Sequence, residues 1–298
     1  MASNASSIPA QVDPLFQRLS PIRYRSPLRY PRLVGQVLRR KRRDRAVLSA
    51  KIRAMMAAEG LALAPEVLHT YLESMLLLHY LQLCDIKVYS MLKPELMHSL
   101  ADECARVLRA GVPGDFVDVG VWKGGSSMIM KFINDLLGGG RRLLCLDIYD
   151  TMDLRVLDEA DPIDDRVIVS ALELARVHFD TEGVRTSISE IRQNFGELGV
   201  SLDDVEFLRG NLISPEFPFD RVQSIALMRI DCDFYTATKN TLERLYPKIS
   251  PGGTIIFDDY YLEGFGERRA ADEFRAQVGD DSPLERVGQS AVWRLASG

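Results

Sequence analysis

Strand and helix patterns alternate regularly from about residue 94 to the end of the chain. Short apolar runs such as DFVDVG (115–120) and VQSIALMRID (222–231) are typical of buried strands, and longer amphipathic segments separate them. This alternation predicts an α/β fold, in which helices cover both faces of a mainly parallel sheet. Such sheets bind ligands beyond the carboxyl ends of their strands, near the reversal of strand order. We therefore expect the functional site in the segments that follow the strands.

The individual elements follow from the same pattern. Helices are predicted over 94–114, 125–137, 164–179, 187–199, 236–249 and 265–279, and strands over 115–120, 141–149, 205–211, 222–231 and 252–259. The end of the chain, LERVG (284–288) followed by SAVWRLA (290–296), predicts a hairpin.

The first 90 residues have a different character. A Pro-, Ser- and Arg-rich segment precedes polybasic helical patterns, and the first 60 residues contain 13 Lys or Arg against 3 Asp or Glu. The whole chain has a net charge of -5, so the remainder is strongly acidic. We interpret residues 1–90 as a basic arm with a helical extension, and 91–298 as the main domain. A basic arm can contact nucleic acid, a membrane surface, an acidic protein or a second subunit, and we favour a solvated or intersubunit arm.

A glycine-containing turn follows the first predicted strand, in FVDVGVWKGGSS (116–127). Gly120, Gly124 and Gly125 allow the backbone to approach a ligand closely. Their GxxxGG spacing departs from the GxGxxG that seats a pyrophosphate, which favours a cofactor without one, such as S-adenosylmethionine. Asp147, which ends the next strand, can accept hydrogen bonds from two ribose hydroxyls. A tight connection without a ligand is the alternative for the turn, and a solvated strand end or helix cap is the alternative for Asp147.

Two acidic pairs follow two later strands. Asp231 and Asp233 come after one apolar run, and Asp258 and Asp259 come after the next. Their oxygens are the ligand type that Mg²⁺ prefers, and a carboxylate can also act as a general base. Alternatively, the first pair caps the following helix, as Thr236 and Thr238 could, and the second pair lies in a solvated loop.

These segments resemble the macrocin O-methyltransferase family, whose members methylate sugar hydroxyls on macrolide and aminocoumarin antibiotics. The resemblance runs from about residue 91 to the C-terminus, through GVPGDFVDVGVWKGGSS, DIYDTM, RIDCDFYTATKNTLERLYPKISPGGTIIFDDYY and AADEFR. It implies a Rossmann-like class I S-adenosylmethionine-dependent methyltransferase fold, with a mostly parallel seven-stranded sheet and an N-terminal helical extension.

The resemblance also implies cofactors and roles for particular residues. It implies S-adenosyl-L-methionine as methyl donor and Mg²⁺ as the metal, with Asp231, Asp258 and Asp259 as metal ligands and Asp233 as general base. The residues expected to bind the cofactor are Asp118, Gly120, Val121, Trp122, Gly124, Gly125, Ser126, Asp147, Gly210, Asn211 and Asp231. Among them, Gly210 and Asn211 are expected from their own position, since they end the predicted strand 205–211 and could face the adenine.

The chain departs from the family pattern at two of these positions. Asp118 stands where the family commonly has Glu, so a shorter acid would have to reach the same cofactor atoms. DIYDTM replaces the usual D(S/T)FEGM, which leaves the ribose to either Asp147 or Asp150. The first 90 residues, which commonly shape the acceptor site in the family, show little that can be matched.

The leading hypothesis is a Mg²⁺-dependent O-methyltransferase for a sugar hydroxyl of a glycosylated natural product. The alternatives are a catechol, phenol or peptide hydroxyl as acceptor, or a non-catalytic binding module with a basic arm. We expect a small-molecule acceptor, no nucleic acid, no membrane, and a homo-oligomer. A cytoplasmic location is expected because no secretory signal is visible and the four cysteines are spaced singly in apolar segments.

Overall fold

The computed structural model describes residues 89–149, 186–263 and 265–297. In this part of the chain, seven strands form one sheet. The strands are β1 (Asp115–Val119), β2 (Leu143–Asp147), β3 (Val205–Arg209), β4 (Ile225–Ile230), β5 (Ile249–Phe257), β6 (Glu285–Val287) and β7 (Ser290–Arg294).

The strand order is β3-β2-β1-β4-β5-β7-β6. Strands β1 to β5 are parallel, and β7 runs antiparallel to both β5 and β6. The chain builds outward from β1 through β2 to β3, and then returns to add β4 on the other side of β1. The order therefore reverses between β1 and β4, where open α/β sheets bind their ligands. The predicted mostly parallel sheet and its terminal hairpin are confirmed.

Five helices lie in the described residues: α1 (Pro94–Arg109), α2 (Gly125–Leu136), α3 (Ile188–Glu197), α4 (Tyr235–Leu245) and α5 (Glu267–Val278). Alternate strand residues point to opposite faces of the sheet. On one face, Val119 and Ile230 belong to an apolar cluster with Leu242 of α4 and Phe274 of α5. Helices α1 and α2 pack against each other and against the central strands. The sheet is thus buried on both faces, as the alternating pattern predicts.

The structure differs from the sequence prediction around residues 245–252. The helix predicted over 236–249 ends at Leu245, and a 3₁₀ turn over Tyr246–Lys248 follows it. Pro247 lies in this turn, and proline cannot donate the backbone hydrogen bond that would continue an α-helix. Strand β5 then begins at Ile249, three residues before its predicted start. The helix predicted over 164–179 lies outside the described residues.

The chain divides into two compact units, residues 1–91 with 193–201 and residues 92–192 with 202–298. All seven strands of the described sheet belong to the second unit. Almost all of the predicted basic arm and helical extension (1–90) lies outside the described residues, so the boundary at residue 90 stays a prediction. No helix in the described ranges is long and apolar enough to cross a membrane. Cys104, Cys145 and Cys232 have free thiols.

Candidate active site

The connection from β1 to α2 is a tight turn that Asp147 holds in place. Gly120, Trp122 and Gly124 have positive φ angles of 79°, 46° and 86°. This region is costly for a side chain such as that of Trp122. Asp147 Oδ2 accepts the backbone N–H groups of Val121 at 2.7 Å and of Trp122 at 2.9 Å. The carboxylate that ends β2 therefore stabilises the turn that ends β1.

Asp147 keeps a second oxygen for other partners. Its Oδ1 accepts a long hydrogen bond from Tyr149 N–H at 3.3 Å. Burial raises the pKa of Asp147, although the backbone N–H groups that it accepts, that of Trp122 first, act to lower it. A ribose hydroxyl donating to Oδ1 would further favour the charged form. The alternative ribose ligand, Asp150, lies outside the described residues, so this choice stays open.

Asp118 lies beneath the turn and is fully buried. Its Oδ2 accepts hydrogen bonds from the hydroxyls of Ser126 at 2.7 Å and Ser127 at 2.5 Å, and its Oδ1 pairs with Arg229 at 3.1 Å. Both oxygens therefore bond to protein groups, and the Ser126 hydroxyl is used in the same way. The expected cofactor contacts of these two side chains stay predictions that would require an exchange of partners.

Gly210 and Asn211, two of the residues predicted to bind the cofactor, follow β3, which pairs with β2. Gly210 N–H donates to the carbonyl of Asp147 at 3.1 Å, which places the end of β3 beside the end of β2. Asn211 Oδ1 accepts the N–H of Ile213 at 3.1 Å and so shapes the turn after β3. The position fits a contact with an adenine, which stays a prediction.

The acidic residues after β4 and β5 come together at the carboxyl edge of the sheet. One carboxylate oxygen from each of Asp231, Asp233 and Asp259 lies within 4.8 Å of the other two. Asp233 adopts a left-handed backbone with a φ of 63°, which is uncommon for a residue other than glycine. Asp258 is outside this convergent set and instead contacts Arg229. The grouping thus differs from the predicted ligand set by the exchange of Asp258 for Asp233.

The four aspartates that follow β4 and β5 form an acidic cluster in which the charged form of each carboxylate is disfavoured. Burial raises the pKa of Asp231, Asp233, Asp258 and Asp259. Repulsion adds to this effect, since the charge on Asp231 further raises the pKa values of the other three. Clustered carboxylates of this kind bind a proton or a cation in preference to being charged together. The arrangement therefore has the electrostatic character of a cation site.

The structure bears on both alternatives for the acidic pairs. Phe234 occupies the position that precedes helix α4 and makes no side-chain capping hydrogen bond, so neither Asp231 nor Asp233 stands at the N-cap position itself. Asp258 and Asp259 are 6% and 7% exposed, which excludes a solvated loop.

Two buried charged residues of this site were missed by the sequence analysis. Arg229, inside β4, donates to Asp231 Oδ2 at 2.5 Å and to Asp258 Oδ1 at 3.2 Å. The sequence signal was an arginine within the apolar run IALMRI, where a charge is buried only with partners.

The second missed residue is Glu267, the first residue of α5, which is fully buried. Its Oε1 accepts the backbone N–H of Asp259 at 2.9 Å, whereas its Oε2 is buried and has no hydrogen-bond partner among the described residues. Burial raises the pKa of Glu267 well above its ordinary value, and the charges on Asp259 and Asp231 raise it further. The helix dipole favours an acid at a helix start whether it is exposed or buried, so its burial could not be predicted from sequence.

The seven-stranded, mostly parallel sheet, with its glycine turn and acidic residues at the carboxyl edge, is the fold of a class I S-adenosylmethionine-dependent methyltransferase. Among solved structures, the O-methyltransferase NovP is similar with a TM-score of 0.61 and 27% sequence identity, over 71% of this chain and 84% of that one. The calicheamicin methyltransferase structure is similar in fold, with a TM-score of 0.52 and 18% identity over 78% of this chain and 94% of its own.

Within that class, the chain belongs to the macrocin O-methyltransferase (TylF) family, whose model matches residues 85–295. The chain is 32% identical over 190 residues, 63% of its length and 68% of the relative's, to 8-demethyl-8-(2,3-dimethoxy-alpha-L-rhamnosyl)-tetracenomycin-C 4'-O-methyltransferase from Streptomyces olivaceus. It is 31% identical over 220 residues, 70% of its length and 79% of the relative's, to mycinamicin III 3''-O-methyltransferase from Micromonospora griseorubida. The predicted resemblance is confirmed.

Proposed function

We propose that this chain is a Mg²⁺-dependent O-methyltransferase that moves a methyl group from S-adenosylmethionine to a sugar hydroxyl of a glycosylated natural product. The observation that carries the proposal is the convergence of Asp231, Asp233 and Asp259 within 4.8 Å, at the sheet edge that also holds the glycine turn. The names of relatives from two organisms describe methylation at hydroxyl positions of glycosylated antibiotics. We extend that acceptor class to this chain.

The residues at the acidic cluster fit a magnesium ion. All the available donors are carboxylate oxygens, the hard ligands that Mg²⁺ prefers. The ion would be held by Asp231, Asp258 and Asp259. Arg229 contacts Asp231 through Oδ2 and Asp258 through Oδ1, so each of these two carboxylates has its other oxygen available for the ion. When bound, Mg²⁺ would lower the pKa of the acceptor hydroxyl and orient it.

In the proposed reaction, Asp233 would receive the proton of the acceptor hydroxyl. It lies against Asp259, and burial followed by the charge on Asp231 raises its pKa, which makes it a stronger base than an exposed aspartate. Its position is fixed by the start of α5, because Gly266 N–H donates to the Asp233 carbonyl at 3.0 Å. A Cβ on Gly266 would lie 2.3 Å from Tyr235 N, so this close contact requires glycine.

The turn after β1 would hold the methyl donor. Asp147 orders the backbone of Val121 and Trp122 through Oδ2, and its Oδ1 would accept a hydrogen bond from the ribose. Bound S-adenosylmethionine would supply an electrophilic methyl group on its sulfonium, and the fold would align that group with the acceptor oxygen. The donor and acceptor sites would then lie side by side across the switch between β1 and β4.

Tyr261 is a candidate residue for contact with the acceptor sugar. It follows the acidic pair, is half-buried, and stacks with Arg286, whose guanidinium carbon lies 4.3 Å from the ring centroid. Gln289 links this region to the cluster, since its carbonyl accepts Tyr261 N–H at 2.8 Å and its Nε2 donates to Asp259 Oδ1 at 2.8 Å. An aromatic ring here could pack on the apolar face of a sugar.

We propose that the enzyme acts in the cytoplasm as a homo-oligomer on a small-molecule acceptor, without nucleic acid or a membrane as partner. The basic arm, rich in Lys and Arg, would then serve subunit or acceptor contacts. Light scattering of the purified full-length chain gives its subunit number directly, and a monomer would contradict the oligomeric part.

The test is methyl transfer by the metal-stripped full-length protein. Radiolabelled S-adenosylmethionine is offered with a panel of glycosylated macrolides and aminocoumarins, with catechols, and with hydroxyl-bearing peptides, in Mg²⁺ or in a chelator. We expect transfer to a glycosylated acceptor in Mg²⁺ and its loss in chelator. Full activity in chelator would contradict the metal role. Preferred transfer to a catechol or peptide would replace the acceptor class, and no transfer to any acceptor would favour a binding module.

A further inference from the structure

Arg229 connects the glycine turn to the acidic cluster. Its Nη1 lies 3.1 Å from Asp118 Oδ1 and 3.3 Å from Ser126 Oγ, both beneath the turn. Its Nη2 lies 2.5 Å from Asp231 Oδ2 and 3.1 Å from Asp258 Oδ1. Asp118 and Arg229 are also direct register partners on the parallel strands β1 and β4. The guanidinium therefore sits at the point where the strand order reverses.

Arg229 is a buried positive charge surrounded by several buried or partly buried carboxylates. Arg229 has 3% side-chain exposure, and its three carboxylate partners have between 0% and 24%. Asp233, Asp259 and Glu267 lie in the same acidic region. Removing a buried ion-pair member leaves an uncompensated charge, which is strongly destabilising. Among the described residues, Arg229 thus pairs with and neutralises Asp231, which follows β4, and Asp258, which follows β5.

We propose that Arg229 is a built-in counter-ion that shares the acidic cluster with the metal. It holds Asp231 and Asp258 in place when no metal is bound, and it weakens the affinity for a divalent cation by repulsion. Arg229 acts through the carboxylates and is therefore a positioning residue. The inference rests on the metal site of the proposed function and assigns to Arg229 a role in setting how tightly that site binds its ion.

Two effects of Arg229 on metal affinity oppose each other. Its hydrogen bonds orient the ligand carboxylates, and losing such outer contacts typically weakens metal binding by about 10- to 100-fold. Its charge repels the ion, and a unit charge about 6 Å from a divalent cation costs roughly tenfold in affinity even with water-like screening. Burial strengthens this repulsion. Glutamine at this position keeps one amide NH₂ as a donor and removes the charge, whereas lysine keeps the charge and also lacks the planar fork of Arg229. The comparison of Arg229→Gln with Arg229→Lys therefore isolates the repulsive effect.

The test is a titration of Mg²⁺ into the metal-stripped full-length protein, followed by calorimetry. We expect Arg229→Gln to bind Mg²⁺ about tenfold more tightly than the unmodified protein, or more. Arg229→Lys keeps the charge with a different geometry, and we expect it to bind within about threefold of the unmodified protein or more weakly. Equal or weaker binding by Arg229→Gln overturns the proposal.

Thermal unfolding distinguishes a counter-ion role from a packing role, because only a counter-ion role makes the loss of melting temperature depend on Mg²⁺. If Arg229 is a counter-ion, Arg229→Gln lowers the melting temperature more in chelator than in saturating Mg²⁺, because the metal replaces the missing charge. Equal losses in both conditions indicate packing alone and overturn the proposal. If the variant folds only with Mg²⁺, circular dichroism against Mg²⁺ concentration gives the midpoint. A variant that stays unfolded in saturating Mg²⁺ also overturns it.

A third variant separates this inference from the proposed function. Asp259→Asn removes a proposed ligand and should abolish measurable Mg²⁺ binding while leaving Arg229 and its partners intact. If the unmodified protein binds Mg²⁺, Asp259→Asn does not, and Arg229→Gln binds no more tightly, the counter-ion role alone fails. If the unmodified protein binds no Mg²⁺, both the metal site and the counter-ion role fail.

Discussion

The backbone carbonyl of Asp231 lies directly against Gly120, so close that a Cβ built on Gly120 would be 1.7 Å from the oxygen. No side chain fits between the turn after β1 and the acidic loop after β4. The Asp231 N–H also donates to the Val119 carbonyl at 2.9 Å, which extends the pairing of the two strands to this point. The proposed donor site and metal site therefore meet through backbone contacts.

Replacing Gly120 by alanine tests this close contact. We expect Gly120→Ala to lower the free energy of unfolding by roughly 3 kcal/mol or more, because it combines a backbone clash with a φ of 79°. The measurement is urea denaturation. Gly138→Ala is the matched control, since Gly138 has a φ of 66° and open space around it, and should cost only about 1 to 2 kcal/mol. Equal losses would show that the contact with Asp231 is unimportant.

Substitutions of Asp258 and of Asp233 show which of the two binds the metal together with Asp231 and Asp259. We expect Asp258→Asn to weaken Mg²⁺ binding at least about tenfold, because it removes an anionic ligand. We expect Asp233→Asn to keep Mg²⁺ binding within about threefold but to lower kcat about 100-fold or more, since it removes the proposed base. Calorimetry and steady-state kinetics on both proteins measure this.

The reverse pattern for this pair has a definite meaning. If Asp233→Asn loses Mg²⁺ and Asp258→Asn keeps it, the three ligands are the convergent carboxylates of Asp231, Asp233 and Asp259. Asp258 would then serve only as a partner of Arg229, which it contacts at 3.1 Å.

Removing the carboxylate of Asp147 should weaken donor binding. Asp147→Ala removes two hydrogen bonds to the turn, from Val121 and Trp122, together with the proposed ribose contact. We expect the Kd for S-adenosylhomocysteine to rise roughly tenfold to 100-fold, as for hydrogen bonds to charged groups. Asp115→Asn, at the opposite end of β1, removes a surface pairing with Arg142 and should leave this Kd unchanged. An unchanged Kd for Asp147→Ala would remove Asp147 from the donor site.

Glu103 links α1 to the sheet and should contribute to stability. Its Oε1 accepts from Arg294 of β7 at 2.5 Å, and its Oε2 accepts from Thr254 of β5 at 3.0 Å and Arg106 at 2.8 Å. We expect Glu103→Gln to reduce the free energy of unfolding at pH 7 by about 1–3 kcal/mol, since Glu103 is buried while the arginines are partly exposed.

The effect of Glu103 should depend on pH. Burial raises its pKa, but the hydrogen bonds and charges of Arg294 and Arg106 outweigh this, so its pKa is below the ordinary value of 4.5. The stabilisation is therefore complete above about pH 4.5 and is lost as the pH falls through the lower folded-state pKa. Urea denaturation should show the gap between Glu103→Gln and the unmodified protein closing in acid. A gap that widens in acid would contradict the ion pairing.

Much of the fold could be predicted because its signals are local. The apolar run that forms β4 and the glycine after β1 are local sequence features, and Pro94 marks the first residue of α1. Helix ends were predicted less well, since the helix predicted over 94–114 ends at Arg109. The start of β5 was placed three residues late, because pairing with β4 determines where a strand begins. Such pairing involves residues far apart in the chain.

The sequence by itself determined the α/β class, the family resemblance, and the strand ends at which Asp147, Asp231 and Asp259 stand. Only the tertiary structure decided which carboxylates converge, since side chains from β4 and β5 meet through sheet pairing and not through sequence spacing. It also decided that Arg229 lies among acids and that Glu267 is buried beside them. A charge can be buried only where its partners gather, and those partners come from strands and helices distant in the chain.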